Sequence, residues 1–235
     1  WRTRLISVLL AAVLLCTLCV TAFAEDDVQT TISIRTADDL LALAQSCTLD
    51  TWSQDKVVEL EGDLSLEGVA FTPIASFGGT FHGNGYTISG LSLGEGLSYA
   101  GLFQHVQSGG SIEDLNVTGT VQAASSCAAA GGIAAVNAGR IMNSSFSGHV
   151  RASSCAGAIA GINEAGGMIV SSSSNGAVTG TQMTGGIAGS NAGQILSCTN
   201  AEYVNTVSGD KAMTLDDLNF NFSLDMTSLT TTGDT

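Results

Sequence analysis

The segments GGIAAVNAGRIMNSSFSGHV (residues 131–150) and GAIAGINEAGGMIVSSSSNGAV (157–178) repeat one pattern of glycine, asparagine and β-branched residues. AGLFQHVQSGGSIEDLNVTGTV (100–121) and GGIAGSNAGQILSCTNAEYV (185–204) follow the same pattern on either side. A glycine-rich run can cradle a phosphate, but the Lys and Ser or Thr of a phosphate loop do not follow here. Recurrence every 26 to 31 residues is instead typical of a stacked repeat fold.

Each segment carries three apolar anchors with turn residues between them. The anchors are β-branched or Leu, and no segment has a long run at helical periodicity, so the pattern favours short strands. We therefore predict an all-β fold, a parallel β-helix with about five coils and three strands per coil. The core anchors are Leu102, Ile133, Ile159 and Ile187 in the first position, Ile112, Ile141, Ile169 and Ile195 in the second, and Val121, Val150, Val178 and Val204 in the third.

An asparagine follows the first anchor by four residues in three of the segments, at Asn137, Asn163 and Asn191. Stacked coils would place these side chains in one column at the strand spacing of about 4.8 Å. Their amides could then hydrogen-bond to one another along the column. The sequence favours this structural ladder over a binding role, which stays the alternative.

The regions that flank the repeats read as caps. Residues 25–55 form the predicted N-terminal cap, with a helix at about 37–46 whose start carries an acidic capping box, Thr36 and Asp39. The repeats occupy 56–207. In 208–235, LNFNFSLDM alternates apolar and polar residues, which predicts a C-terminal cap strand before a polar tail.

The first 24 residues resemble an export signal, with Arg2 and Arg4 ahead of an apolar run and a small-residue cleavage site at Ala24. We expect a secreted or cell-surface protein with no transmembrane anchor beyond this signal. Removing the two arginines from the seven basic residues leaves five against 21 acidic ones, a formal charge of −16. That charge argues against nucleic acid as a partner, because binding it needs clustered Lys and Arg.

Cysteine and histidine do not indicate a metal site. Cys127 and Cys155 both lie in SSCA motifs 28 residues apart, and either a disulfide or two small apolar residues in successive coils fits this spacing. The second alternative is favoured. No Cys/His spacing suggests zinc, so neither a metal ion nor a cofactor is expected.

A longer stretch resembles a known bacterial family. FTPIASFGGTFHGNGYTISGLSL (71–93), followed by AGLFQHVQSGGSIEDLNVTGTV and the GGIAG units, is similar to the GLUG-motif proteins over roughly residues 34–204. The resemblance implies an exported right-handed β-helix of pectin-lyase-like architecture. It implies no single function, because these repeats accompany adhesins, large surface proteins and some immunoglobulin-cleaving metalloproteases. Where the family usually has Asp in GTFDGNG, this chain has His82.

Catalytic residues are hard to find in the coils. Glycoside hydrolysis usually needs two carboxylates that face each other, and no acid recurs at an equivalent position in the next coil. The histidines are scattered, and SSSSNG (171–176) reads as a polar turn. We therefore predict no catalytic residues and no enzyme activity. The residues compared are Glu67, Glu95, Glu113, Asp114 and Glu164 among the acids and His82, His105 and His149 among the histidines.

The sequence thus favours a non-catalytic extracellular or cell-surface module with a structural or adhesive role. Its partners stay unidentified; host or cell-wall glycans or proteins are the candidates. One alternative is a carbohydrate-active or glycan-binding β-helix, in which Trp52, Tyr86, Tyr99 or Phe103 would stack on sugars. Another is the N-terminal spacer of a longer surface protein.

Overall fold

The computed structural model describes residues 30–94, 96–123, 129–201 and 204–206. From Thr31 onward these residues belong to one compact unit. The predicted signal peptide (1–24), the predicted C-terminal cap (208–235) and Cys127 lie outside the described residues.

The fold contains one helix and many short strands. Helix α1 spans Ala37–Ser46, within the range that the sequence predicted. The strands are β1 (Thr30–Ile34), β2 (Lys56–Leu60), β3 (Leu64–Ser65), β4 (Thr80–His82), β5 (Thr87–Leu93), β6 (Tyr99–Ala100), β7 (Phe103–Val106), β8 (Ser111–Glu113), β9 (Asn116–Gln122), β10 (Ala129–Gly131), β11 (Ala134–Asn137), β12 (Arg140–Met142), β13 (Ser145–Ala152), β14 (Cys155–Gly157), β15 (Ala160–Asn163), β16 (Met168–Val170), β17 (Ser173–Gly180), β18 (Met183–Gly185), β19 (Ala188–Asn191), β20 (Gln194–Leu196), β21 (Thr199–Asn200) and β22 (Val204–Thr206).

These strands stack into four sheets that wrap the main hydrophobic core. Sheet 1 joins β1, β2, β4, β8, β12, β16 and β20, and sheet 2 joins β3, β5, β9, β13, β17 and β21, with β22 also on β17. Sheet 3 joins β6, β10, β14 and β18, and sheet 4 joins β7, β11, β15 and β19. The strand pairings from β2 onward are parallel. The result is an all-β solenoid of about six turns, as the fold prediction required, with one turn more than expected.

Each complete coil has four strands, so the prediction of three was wrong. The second and third anchors form two continuous columns, with Ile112 paired to Ile141 and Val121 paired to Val150. The first anchors are also buried, but they lie at the bend between a sheet 3 strand and a sheet 4 strand. This bend is only two residues long at Gly132 and Ile133. Because so few residues separate the sheet 3 strand from the sheet 4 strand, the sequence pattern indicates a single strand there.

The apolar side chains of every turn meet in one cluster inside the solenoid. Phe77, Phe81 and Phe103 fill the early turns, with ring centroids 5.3 to 6.3 Å apart. Helix α1 contributes Leu40 and Leu43 to the same cluster, and both are buried. The helix therefore packs on the core at the beginning of the stack instead of standing apart from it.

Sheets 3 and 4 also pack against each other on their outer faces, where only small residues fit. A Cβ atom on Gly161 in β15 would lie 2.7 Å from the backbone nitrogen of Ala130 and 2.8 Å from the Cβ of Ala129, both in β10. In the next turn, a Cβ atom on Gly189 would likewise lie 2.5 Å from the backbone nitrogen of Ala156. The repeated glycines of the GGIAG units therefore permit close approach between strands, and most of them do not need positive φ.

The recurring positive-φ corner is made by other residues. Asp114, Asn143, Ser171 and Ser197 each follow the second anchor by two positions and have φ between 49° and 56°. They turn the chain from sheet 1 to sheet 2 in successive coils. The interpretation of SSSSNG as a polar turn was wrong beyond Ser171. Ser172 and Ser174 are buried, and β17 begins at Ser173.

Candidate functional site

The three predicted ladder asparagines form a hydrogen-bonded column at the ends of β11, β15 and β19. The Nδ2 of Asn137 donates to the Oδ1 of Asn163 at 2.8 Å, and the Nδ2 of Asn163 donates to the Oδ1 of Asn191 at 2.8 Å. Asn137 and Asn163 are fully buried. Their amides satisfy one another away from solvent, so the arrangement serves stacking of the coils.

The first member of this column has an unsatisfied acceptor. The Oδ1 of Asn137 is buried and has no hydrogen-bond partner. The residue paired with Asn137 in the preceding turn is Val106, whose side chain has no N–H to donate. The ladder therefore begins where the repeat departs from its pattern, and the orphaned oxygen is a consequence of that departure.

A serine column lies at the next corner and was not found by sequence analysis. The Oγ of Ser144 accepts from the backbone N–H of Leu115 at 3.2 Å, and the Oγ of Ser172 accepts from the N–H of Ser144 at 3.2 Å. Both hydroxyls donate to carbonyls two residues earlier. These serines satisfy backbone groups at a buried turn.

Two carboxylates and a histidine align on the outer face of sheet 1. Strand pairing places His82 between Glu59 and Glu113. The Nδ1 of His82 is 3.5 Å from the Oε2 of Glu113, and its Nε2 is 4.0 Å from the Oε1 of Glu59. The Nδ2 of Asn84 donates to Glu59 at 2.8 Å, and the Oγ of Ser111 donates to Glu113 at 2.7 Å.

This Glu59–His82–Glu113 column was not predicted from the sequence, because Glu59 is not among the acids compared there for a facing pair. The two carboxylates lie two strand spacings apart, roughly 10 Å. His82 occupies a strand and is not a turn residue. The signal was present in the alternation of β2, where Glu59 stands between the buried residues Val58 and Leu60 and must face outward.

The same three side chains do not converge on one point. The two carboxylates approach opposite nitrogens of the imidazole ring. Because the ring lies between them, one metal ion could not be bound by both carboxylates at once. Within the described ranges, no group of three or more His, Cys, Asp or Glu residues has an arrangement suited to a metal ion. The column is better described as a hydrogen-bonding surface than as a metal centre.

A cleft of about 610 Å³ opens on the outer side of sheet 4. A second cavity of about 250 Å³ adjoins it at His105 and Glu164, which line both. The turn after α1 forms one border through Asp50, and Tyr99 of β6 lines the far side. Together they form one groove, named here the His105–Glu164 groove. It is lined by Asp50, Ala75, Ser76, Tyr99, Gln104, His105, Gln107, Ser108, Val136, Ala138, Glu164, Ala165 and Gly166.

One side of the groove is rigid and the other presents unengaged groups. The Nε2 of Gln107 donates to the carbonyl of Asp50 at 2.6 Å and to the Oγ of Ser76 at 2.7 Å. By contrast, the imidazole of His105 and the carboxylate of Glu164 have no side-chain hydrogen bond or ion pair within the part of the chain that the structure describes. Tyr99 is 42 % exposed. These groups are therefore free to contact a ligand.

The remaining candidate residues have structural or isolated positions. Phe103 is fully buried in the core, and Trp52 packs beneath the Nζ of Lys56, 5.0 Å from the ring centroid. His149 is exposed on β13. Tyr86 and Tyr99 are both exposed, but they belong to different sides of the coil, so the described residues contain no row of aromatic side chains. Burial raises the pKa of the Cys155 thiol.

No helix in the described ranges has the length and apolarity that crossing a lipid bilayer requires. The helix α1, with ten residues, packs on the core instead.

Comparisons with known proteins bear on the fold. No protein-family model matches the chain, and no curated protein sequence matches it significantly. Among solved structures, a crystal structure from Bacteroides ovatus, described as a "putative immunoglobulin A1 protease", is similar with a TM-score of 0.50 and 15% sequence identity. The match covers 77% of this chain and 78% of that chain. At this identity the similarity supports the β-solenoid fold alone.

Proposed function

We propose that this chain is a non-catalytic extracellular or cell-surface β-solenoid module with an adhesive role, and that it is a GLUG-motif protein. The observation that carries the proposal is that two sets of polar residues differ in their hydrogen bonding. The recurring polar residues, such as Asn163 and Ser172, form hydrogen bonds between neighbouring coils. The unengaged ones, such as His105 and Glu164, line an open groove on one side of the coils. A rigid stack with an open polar groove suits binding.

The glycine pattern supports the family assignment. In the GGIAG units the glycines of sheet 4 lie where a Cβ atom would meet backbone atoms, as at Gly161 and Gly189. These are the positions through which the sequence resembles the GLUG-motif proteins. The substitution of His82 for the usual Asp does not disturb the coil, because His82 faces outward between two glutamates.

Adhesion by the isolated chain tests the proposal. The purified secreted form is coupled to beads, and retention of the beads is measured on bacterial and host cell surfaces, with albumin-coated beads as the reference. We expect specific retention that soluble chain competes away. A Gly161→Val variant, which cannot close the corner between sheets 3 and 4, is the conformational control and should not adhere. Absence of retention by the parent chain would overturn the adhesive role and favour the spacer alternative.

A second candidate function is favoured by the Glu59–His82–Glu113 column. Two carboxylates roughly 10 Å apart approach the separation used by inverting glycoside hydrolases, which lies at about 6.5–9.5 Å. The carbohydrate-active alternative predicts that the parent chain releases reducing ends from a polysaccharide and that Glu113→Gln does not. We propose binding over catalysis because His82 occupies the space between the carboxylates where a sugar and a water would have to lie.

A further inference from the structure

The His105–Glu164 groove has a chemical character that narrows its ligand. Its lining contains two carboxylates, Asp50 and Glu164, and no Lys or Arg. The secreted chain as a whole carries a formal charge of −16 once the two signal arginines are removed. Uronates, sialic acids and sulfated or phosphorylated ligands would therefore meet repulsion both in the groove and at long range.

The same groups suit hydroxyl-rich ligands. A carboxylate accepts hydrogen bonds and can take two neighbouring hydroxyls, and an imidazole ring offers an N–H donor. Glu164 and His105 supply these groups at the junction of the two cavities. Tyr99, with 42 % of its surface exposed, provides an aromatic face in the smaller cavity, and Val136 gives that cavity an apolar wall. An apolar wall with a few convergent polar groups is the usual composition of a small-molecule site.

The extent of the groove indicates a ligand longer than one ring. Polar contacts in the larger cavity come from Asp50 and Ser76, whereas the aromatic side chain lies in the smaller one. A ligand that uses both must pass His105 and Glu164, the residues that the cavities share. A chain of at least two sugar units meets this requirement, and its uncharged rings avoid the repulsion described above.

We propose that the His105–Glu164 groove binds a neutral oligosaccharide of two or more units, stacked on Tyr99 and hydrogen-bonded to Glu164 and His105. This inference rests on the proposed adhesive function and specifies its ligand. A cationic peptide is the competing ligand class, since it would also be attracted to the two carboxylates. Binding of a neutral sugar is nearly independent of salt, whereas binding of a cationic peptide weakens as salt rises.

The test is a binding screen of the purified secreted chain against neutral oligosaccharides, oligogalacturonates, heparin fragments and oligolysine. We expect binding to one or more neutral oligosaccharides, with affinity that changes less than about twofold between low and high salt. Tyr99→Ala should weaken it about tenfold, and Glu164→Gln several-fold. The matched controls are Tyr86→Ala, a tyrosine of similar exposure outside the groove, and Glu67→Gln, an exposed glutamate outside it. Both should bind like the parent.

Three outcomes would overturn the inference. These are binding to the anionic or cationic probes alone, loss of binding at high salt, and unchanged affinity in both groove variants. Failure to bind any neutral oligosaccharide in the screen would also count against it. If beads still adhere to cells in any of these cases, the ligand assignment fails while the adhesive function stands. If beads do not adhere either, the proposed function itself fails.

Discussion

The ladder asparagines occupy the same position in successive coils, but they differ in how many neighbouring amides lose a hydrogen bond when one of them is replaced. Asn163 accepts from Asn137 and donates to Asn191, whereas Asn191 stands at the half-exposed end of the column. Removing the middle member therefore disturbs two neighbouring amides, the buried one of Asn137 and the half-exposed one of Asn191, and removing the end member disturbs one. The cost of a lost hydrogen bond depends mainly on the buried group left without a partner.

The middle of the ladder should accordingly be its most sensitive point. We expect Asn163→Ala to lower the free energy of unfolding by about 2–3 kcal/mol and Asn191→Ala by about 1 kcal/mol, because each orphaned buried polar group costs roughly 1–3 kcal/mol. Urea unfolding followed by circular dichroism measures both values. Equal losses in the two variants would contradict the network described for this column.

The unsatisfied Oδ1 of Asn137 predicts an unusual tolerance at Val106. Val106 is fully buried and is the strand partner of Asn137 in the preceding turn, just as Asn163 is its partner in the following turn. Val106→Asn would bring an amide donor to the orphaned oxygen and extend the ladder by one turn. We expect it to cost at most about 1 kcal/mol, against about 3 kcal/mol for Val150→Asn, where neighbouring valines offer no partner. The matched pair is compared by urea unfolding, and a similar loss in both would contradict the expectation.

At the scale of the element, the corner between sheets 3 and 4 leaves no room for a side chain at its glycines. Gly161 in β15 has backbone atoms of β10 within 2.7 Å of a potential Cβ, whereas Gly62 has no atom within 4 Å. We expect Gly161→Ala to destabilise the fold by about 3 kcal/mol through overpacking, and Gly62→Ala to change stability by less than about 1 kcal/mol. Thermal denaturation of the two variants measures the difference. Tolerance of alanine at Gly161 would show that the two strands can separate without loss of stability.

The start of helix α1 provides an acid-sensitive element. The backbone N–H of Arg35 donates to Asp39 at 3.0 Å and, with the Thr36 side chain, holds the pKa of that carboxyl below its usual range. Hydrogen bonds from Ser33 and then Arg35 likewise lower the pKa of Glu61. Because both folded-state values are depressed, their stabilisation is complete above the unfolded values of roughly 4 and is lost as pH falls through the lower folded values.

We therefore expect the melting temperature to fall as the pH is lowered below about 4, and Asp39→Asn to remove part of that dependence. Asp38→Asn, one residue earlier in the same first turn, is the control, because the capping box uses Asp39. Asp39 is half-buried and Glu61 is exposed, so both carboxyls reach solvent; the effect should be modest and should weaken in salt. A steeper pH dependence in Asp39→Asn than in the parent would contradict the cap assignment.

Across the whole molecule, the sequence predicts the recurring apolar anchors and misses features that those anchors do not mark. The anchors recur from coil to coil, so the columns through Ile141 and Val150 follow from spacing alone. The bend at Gly132 is too short to show a fourth strand in the sequence. Predicting the Glu59–His82–Glu113 column requires the strand register of the early turns, whose lengths are irregular. His82 follows Glu59 by 23 residues and precedes Glu113 by 31. The groove is harder still, because its border at Asp50 comes from outside the repeats.

Each coil pairs with the coils directly before and after it, so we expect the fold to tolerate the deletion of one whole coil. Deleting residues 155–182 joins Ser154 to Met183, which is paired with Cys155 and would take its place. We expect a folded chain whose urea m-value is lower by about one sixth, in proportion to the surface no longer buried by one of about six turns. Deleting residues 155–168, half a coil, is the control and should prevent folding. An unfolded product from the full-coil deletion would contradict the stacking described here.

The parallel stacking also governs how the solenoid responds to force. Each coil holds its neighbour through rows of strand hydrogen bonds, so a pull on one end detaches the outermost coil before the next one carries tension. The 28 residues from Cys155 to Gln182 would release roughly 95 Å of extended chain when their coil peels away. In the proposed adhesive role, an attachment built in this way would lengthen stepwise under load, and each step would dissipate mechanical work before the proposed contact at the groove is strained.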